Sequence, residues 1–114
     1  MANFVIGIPS VTKTVKIRRP GRGEEQLTAD IRVHSVAEQD ELEKKRKTQK
    51  YSDHIQQVKS DTISLGGIED AEGNPVTSSN ELLDAVFDDP YALQGLIRAW
   101  GEVQMGVQEA EAKN

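Results

Sequence analysis

No cysteine occurs in the 114 residues, which excludes disulfides, thiolate zinc sites and thiol nucleophiles together and fits a reducing compartment. Aromatic side chains are nearly as scarce. Phe4, Tyr51, Phe87, Tyr91 and Trp100 make up 4% of the chain, so a core must be built from Leu, Ile and Val, and a chain of this size profits from a partner's support. No apolar run approaches the roughly 20 residues that span a bilayer, and residues 1–9 lack the basic start and long apolar segment of a secretory leader. The expected protein is cytosolic and makes no use of a membrane. Positive charge is in deficit as well: 14 Lys and Arg stand against 19 Asp and Glu, for a formal charge of −5. General affinity for phosphate backbones, and hence nucleic acid, is not expected from such a balance.

What is present reads as one small α+β domain over residues 1–114, without internal repeat or linker. Residues 1–10, with Gly7 and Pro9, suit an extended arm. Val11, Val15 and Ile17 alternate with polar residues, as do Leu27, Ala29, Ile31 and Val33, so an N-terminal antiparallel β-hairpin is expected. Its tip would be the long charged stretch 18–25, turning at Pro20-Gly21. Ser35 faces Glu38 at capping-box spacing, which starts a charged helical middle over 36–60. That middle either breaks into two helices at Ser52-Asp53 or is mobile over 44–50. Thr62 to Leu65 and the Gly73 turn suggest a second small strand pair or an irregular loop. Ser78, three residues before Glu81, signals a short helix carrying Leu82, Leu83, Val86 and Phe87. Asp89-Pro90 then caps a last helix reaching about residue 108, with 109–114 frayed. Leu93, Leu96, Ile97, Trp100, Val103 and Val107 form its apolar stripe, so the chain ends in a pair of amphipathic helices.

Chemistry is hard to find in this pattern. The acidic stretch 69–74 suggests a calcium loop, but placing Gly73 at the sixth position puts Ile68 where a carboxylate is required, so an ordinary turn fits better. His34 and His54 have no ligand-like partners nearby and read as surface or boundary residues. No serine elbow and no phosphate loop occurs, so neither a catalytic residue nor a cofactor or metal site is assigned. The basic hairpin tip, Arg18, Arg19 and Arg22, reads as a solvated loop ahead of a contact for an acidic protein, with nucleic acid last. Ala92, Gly95, Ala99 and Gly106 line one flank of the last helix, where small side chains let another backbone approach. Either the preceding helix folds back on that flank or a partner helix docks there. The second alternative makes Gly95→Leu or Ala99→Leu weaken partner binding more than folding.

Several of these segments together resemble the tail assembly chaperones of long-tailed bacteriophages. The resemblance runs over nearly the whole chain: Gly7-Ile8-Pro9, Thr14-Val15-Lys16-Ile17, Arg19-Pro20-Gly21, Asp70-Ala71-Glu72-Gly73-Asn74-Pro75, Asn80-Glu81-Leu82-Leu83, Pro90-Tyr91 and Lys113-Asn114. It departs where Leu65-Gly66 replaces a Trp before the glycine turn, and where His34-Ser35-Val36-Ala37 replaces a Phe-Lys-Arg-Leu-like run. The resemblance implies a non-catalytic protein of the infected bacterial cytoplasm that binds the tape measure protein, keeps it soluble and helps recruit tail tube protein subunits. It would be absent from the mature virion, and a homo-oligomer is compatible with it. Tyr91, Ala92, Gly95, Ala99 and Met105, off the core stripe, are the candidate contacts. The alternative is a small acidic phage protein that binds and regulates or inhibits a host protein.

Overall fold

A computed structural model of the chain describes residues 3–112 apart from 5 and 8, and side chains as far as Met105. Ile8, Lys113 and Asn114 of the sequence motifs, and the side chains of Gly106 and Val107, lie outside the described residues. The elements run β1 (Ser10–Arg19), β2 (Gly23–Arg32), α1 (Val36–Arg46), α2 (Tyr51–Asp61), β3 (Thr62–Gly66), α3 (Asn80–Phe87) and α4 (Pro90–Ala112). This is the α+β arrangement that the sequence pattern predicts, hairpin first and helices after.

β1 and β2 pair antiparallel with Val15 opposite Leu27 and Thr14 opposite Thr28, so odd-numbered residues of both strands share a face. Val15, Ile17, Leu27, Ala29 and Ile31 are buried on it. The other face is polar and open to water. There the Asp30 carboxylate accepts from Thr12 Oγ1 at 2.5 Å and from Ser64 Oγ at 2.8 Å, and these two hydroxyls, Thr12 first, hold its pKa below the usual range.

Two features of the sheet differ from the sequence expectation. The hairpin tip is short, because Arg18 and Arg19 end β1 and Glu24 and Glu25 lie in β2, leaving Pro20 to Arg22 as the turn. Gly21 (φ 78°) and Gly23 (φ 72°) take the left-handed geometry that closes it, and Arg22 N–H donates to Arg19 O. Nor do residues 62–66 found a second strand pair; β3 adds to β2, giving one sheet in the order β1-β2-β3 with a register shift between Asp30 and Ile31. Leu65 thereby joins the buried face.

α1, α3 and α4 start where side-chain oxygens meet free backbone N–H groups, whereas α2 starts at Lys50 without a side-chain cap. Ser35 and Glu38 form both halves of a capping box on α1, and Asp89 Oδ1 accepts from Tyr91 and Ala92 N–H on α4. On α3 the cap is Ser79, which accepts from Leu82 N–H, whereas Ser78 Oγ accepts from Leu65 N–H and so ties the loop to β3. The helical middle breaks at residues 47–50, a few residues ahead of Ser52-Asp53. In the loop before α3, Asp70 Oδ1 accepts from Glu72 and Asn74 N–H, which turns the chain at Gly73 (φ 87°).

α4 crosses the buried face of the sheet over β1, with α2 and α3 packed against it. Leu96 and Trp100 are 0% and 2% exposed, and burial of such side chains contributes about 1.5–3 kcal/mol each. Leu42 is the buried residue of α1, whose other side chains stand largely in water.

Candidate partner-binding site

α4 has two faces of opposite character. Its inward face combines the apolar stripe with the small flank: Ala92, Gly95, Leu96, Ala99 and Trp100 are all buried. A methyl group on Gly95 would lie 2.7 Å from Lys16 O and 3.0 Å from Val15 Cγ1. Glycine here lets the helix axis settle onto the strand backbone, at a cost of about 1 kcal/mol in helix propensity. Ala92 sits beside Ile17 and Val86 at the corner of β1 and α3. The flank is therefore closed chiefly by β1, which corrects the expectation that α3 or a partner helix fills it. Of the five candidate contacts, Ala92, Gly95 and Ala99 belong to the chain's own core.

The remaining two, Tyr91 and Met105, lie on the outward face. Tyr91, Gln94, Arg98, Gly101 and Met105 follow one another at helical spacings of three and four, opposite the buried side. Tyr91 is 42% exposed, Gln94 and Arg98 are exposed, and Met105 is half-buried. Gly101 is the notable member, since a methyl group there would meet nothing within 4 Å beyond its own helical turn among the described residues. Gln94 Nε2 donates to Tyr51 Oη at 3.2 Å, which brings the exposed Tyr51 of α2 to the same surface. Two tyrosines, an amide and a glycine thus form a mixed surface across α2 and α4.

Beneath α4 lies a polar group that sequence reasoning missed. Asp61 is 3% exposed, and its Oδ2 accepts from Trp100 Nε1 at 2.8 Å and Gln57 Nε2 at 3.1 Å, with His34 Nε2 also at 2.8 Å. Gln104, 4% exposed, accepts from His34 N–H through Oε1 and donates through Nε2 to Arg32 O. These bonds connect the end of β2, the end of α2 and the middle of α4. His54 packs edge-on against Trp100 with ring centroids 5.3 Å apart, and its Nδ1 is buried without a hydrogen-bond partner among the described residues. Burial first, then the Arg46 charge, lowers its pKa and so disfavours the charged imidazolium. The signals were there to be read: a carboxylate at a helix C-terminus opposes the helix dipole, and Gln104 interrupts an apolar face.

Of the basic tip, Arg19 is structural, while Arg18 and Arg22 stand largely in water. Arg19 Nη2 donates to Asp89 Oδ2 at 2.6 Å and Arg19 Nε to Glu25 Oε1 at 2.8 Å, while the guanidinium lies 5.8 Å from the Tyr91 ring centroid. Asp89 foremost, then Glu25, raises the Arg19 pKa further. Arg18 faces Glu24 at 3.9 Å and Arg22 faces Glu25 at 4.0 Å. All three arginines thus have carboxylates at hand, and Arg19 ties the hairpin to the α3–α4 corner.

Among the described residues no group of three or more His, Asp or Glu side chains is arranged to hold a metal ion, and no helix is long and apolar enough to cross a membrane. Compared with protein-family models, with curated proteins and with solved structures, the chain matches none.

Proposed function

We propose that this chain is a tail assembly chaperone of a long-tailed bacteriophage, a non-catalytic protein that holds the tape measure protein in the host cytoplasm and helps bring tail tube subunits to it. Its docking surface is the outward face of α4 with the adjoining Tyr51. The observation that carries this reading is the contrast between the filled inward face and the open outward one. Glycine in mid-helix costs about 1 kcal/mol relative to alanine, and at Gly101 no close approach among the described residues compensates for it. A helix of the tape measure protein crossing there would come close to the α4 backbone, with Tyr91 and Tyr51 as amphipathic anchors on one side and Met105 adapting on the other.

Tyrosines suit a temporary interface, because each offers a large apolar ring while its hydroxyl remains compatible with water before binding. The acidic balance of the chain keeps the complex dispersed while apolar tape measure surface is covered. Co-expression with the tape measure protein from the same gene neighbourhood is the test. The expected result is a soluble complex of the two chains, and a tape measure protein that remains insoluble beside abundant soluble partner rejects the assignment.

A further inference from the structure

β1 is one of the two outer strands of the sheet, and along its outer edge runs a groove of about 580 Å³ whose far wall is α4. Lys13, Lys16, Arg18 and Arg98 line it, against a single carboxylate, Glu102. Glu102 is already engaged by Lys13 at 2.9 Å, and Arg18 faces Glu24 at 3.9 Å. Lys16 and Arg98 are exposed and have no ion-pair partner among the described residues. A cationic groove on a chain of charge −5 is a local inversion of the protein's own field.

We propose that this groove binds an extended acidic segment of another protein, which adds to β1 as a fourth strand. Alternate residues of this 10-residue strand turn backbone N–H and C=O groups to the outer edge, unpaired among the described residues, the requirement for strand addition. In such a segment alternate side chains turn to opposite faces. Carboxylates on one face meet Lys16 and Arg18, while the intervening residues turn toward α4, where Gly95 and Ala99 line the wall. Charge decides the occupant. Joining two copies edge to edge would gather two sets of Lys13, Lys16 and Arg18 and two Arg98 side chains at one seam, and like charges there oppose pairing. The same cations attract a strand that carries Glu or Asp at every second position. This inference concerns the edge of β1, which shares Arg98 with the outward face of α4, and its peptide test is read without the tape measure protein.

The test uses the full chain and three blocked, fluorophore-labelled decapeptides: alternating glutamate and valine, alternating lysine and valine, and the glutamate form with two central residues replaced by proline. Fluorescence anisotropy reads affinity, and amide hydrogen exchange reads β1. The expected result is binding of the glutamate peptide alone, with new protection confined to β1 amides. Lys16→Glu combined with Arg18→Glu, two exposed positions, should keep the melting temperature and weaken that binding about tenfold, since two surface ion pairs are reversed. Equal binding of the proline peptide would show nonspecific charge attraction and overturn the proposal. So would unchanged β1 exchange at millimolar glutamate peptide, or β1 protection that rises with protein concentration in the absence of peptide, which would identify a second copy as the occupant.

Discussion

Gly95 and Gly101 stand on the same helix, and a side chain added to them would meet opposite surroundings. At Gly95 a methyl group would collide with Lys16 O at 2.7 Å, and at Gly101 it would find open space. The first glycine is explained by the fold: α4 must lie close on β1, and any β-carbon holds it away. The second has no such explanation within the chain. Glycine residues spaced along a helix thus carry no single meaning, and only what lies across from each one separates a packing requirement from a vacant approach.

The largest effect expected from this contrast is at Gly95. Gly95→Leu should destabilise the fold by about 3 kcal/mol or more, as overpacking against a backbone that cannot yield does, and urea unfolding would register it directly. Its action is on folding first, as internal packing of the small flank implies and partner docking there does not. Below it comes Asp61→Ala, which strands the Trp100 and Gln57 donors in the core and should cost about 2–3 kcal/mol; a loss under about 0.5 kcal/mol would mean that water replaces the carboxylate. Asp89→Ala removes the α4 cap and the Arg19 anchor, and should cost about 1 kcal/mol. The Asp89 carboxyl is held below its ordinary 3.8, first by Ala92 N–H and then by Arg19 and Tyr91. Its contribution is therefore complete above about pH 4 and disappears as the pH falls through the lowered value. Acid titration of Asp89→Asn should show a shallower loss of stability over that window than the wild type. Smallest is Gly101→Ala, which should raise stability by about 0.5–1 kcal/mol through helix propensity alone, and a decrease would show that the outward face is occupied within the chain.

Much of this architecture was legible in local signals. The period-two runs, the Ser35-Glu38 box and the Asp89-Pro90 start are each written within a few residues, and the structure places strands and helices on them. What was hidden depends on residues far apart. That β3 joins β2 follows from pairings such as Leu65 with Ala29, which no periodicity in residues 62–66 encodes. Ser78 and Ser79 are chemically equivalent as caps, and the choice falls to Ser79 because Leu65 N–H recruits the other hydroxyl. The shortness of the tip was missed because Arg18, Arg19, Glu24 and Glu25 look like a solvated loop, whereas facing strands place them as cross-strand charge pairs. At the candidate site, wheel geometry separated Tyr91 and Met105 from the stripe but could not show that β1 already fills the small flank. Nor can wheel geometry give Gly101 a meaning, which lies in the space above it.

The most direct measurement is the soluble fraction of the tape measure protein when it is co-expressed with Gly101→Arg. Arginine is a good helix former and its stem would project from an uncrowded position, so the variant should melt at or above the wild-type temperature. The account predicts a well-folded variant that leaves the tape measure protein in the pellet, whereas solubilisation as complete as with the wild type would contradict it.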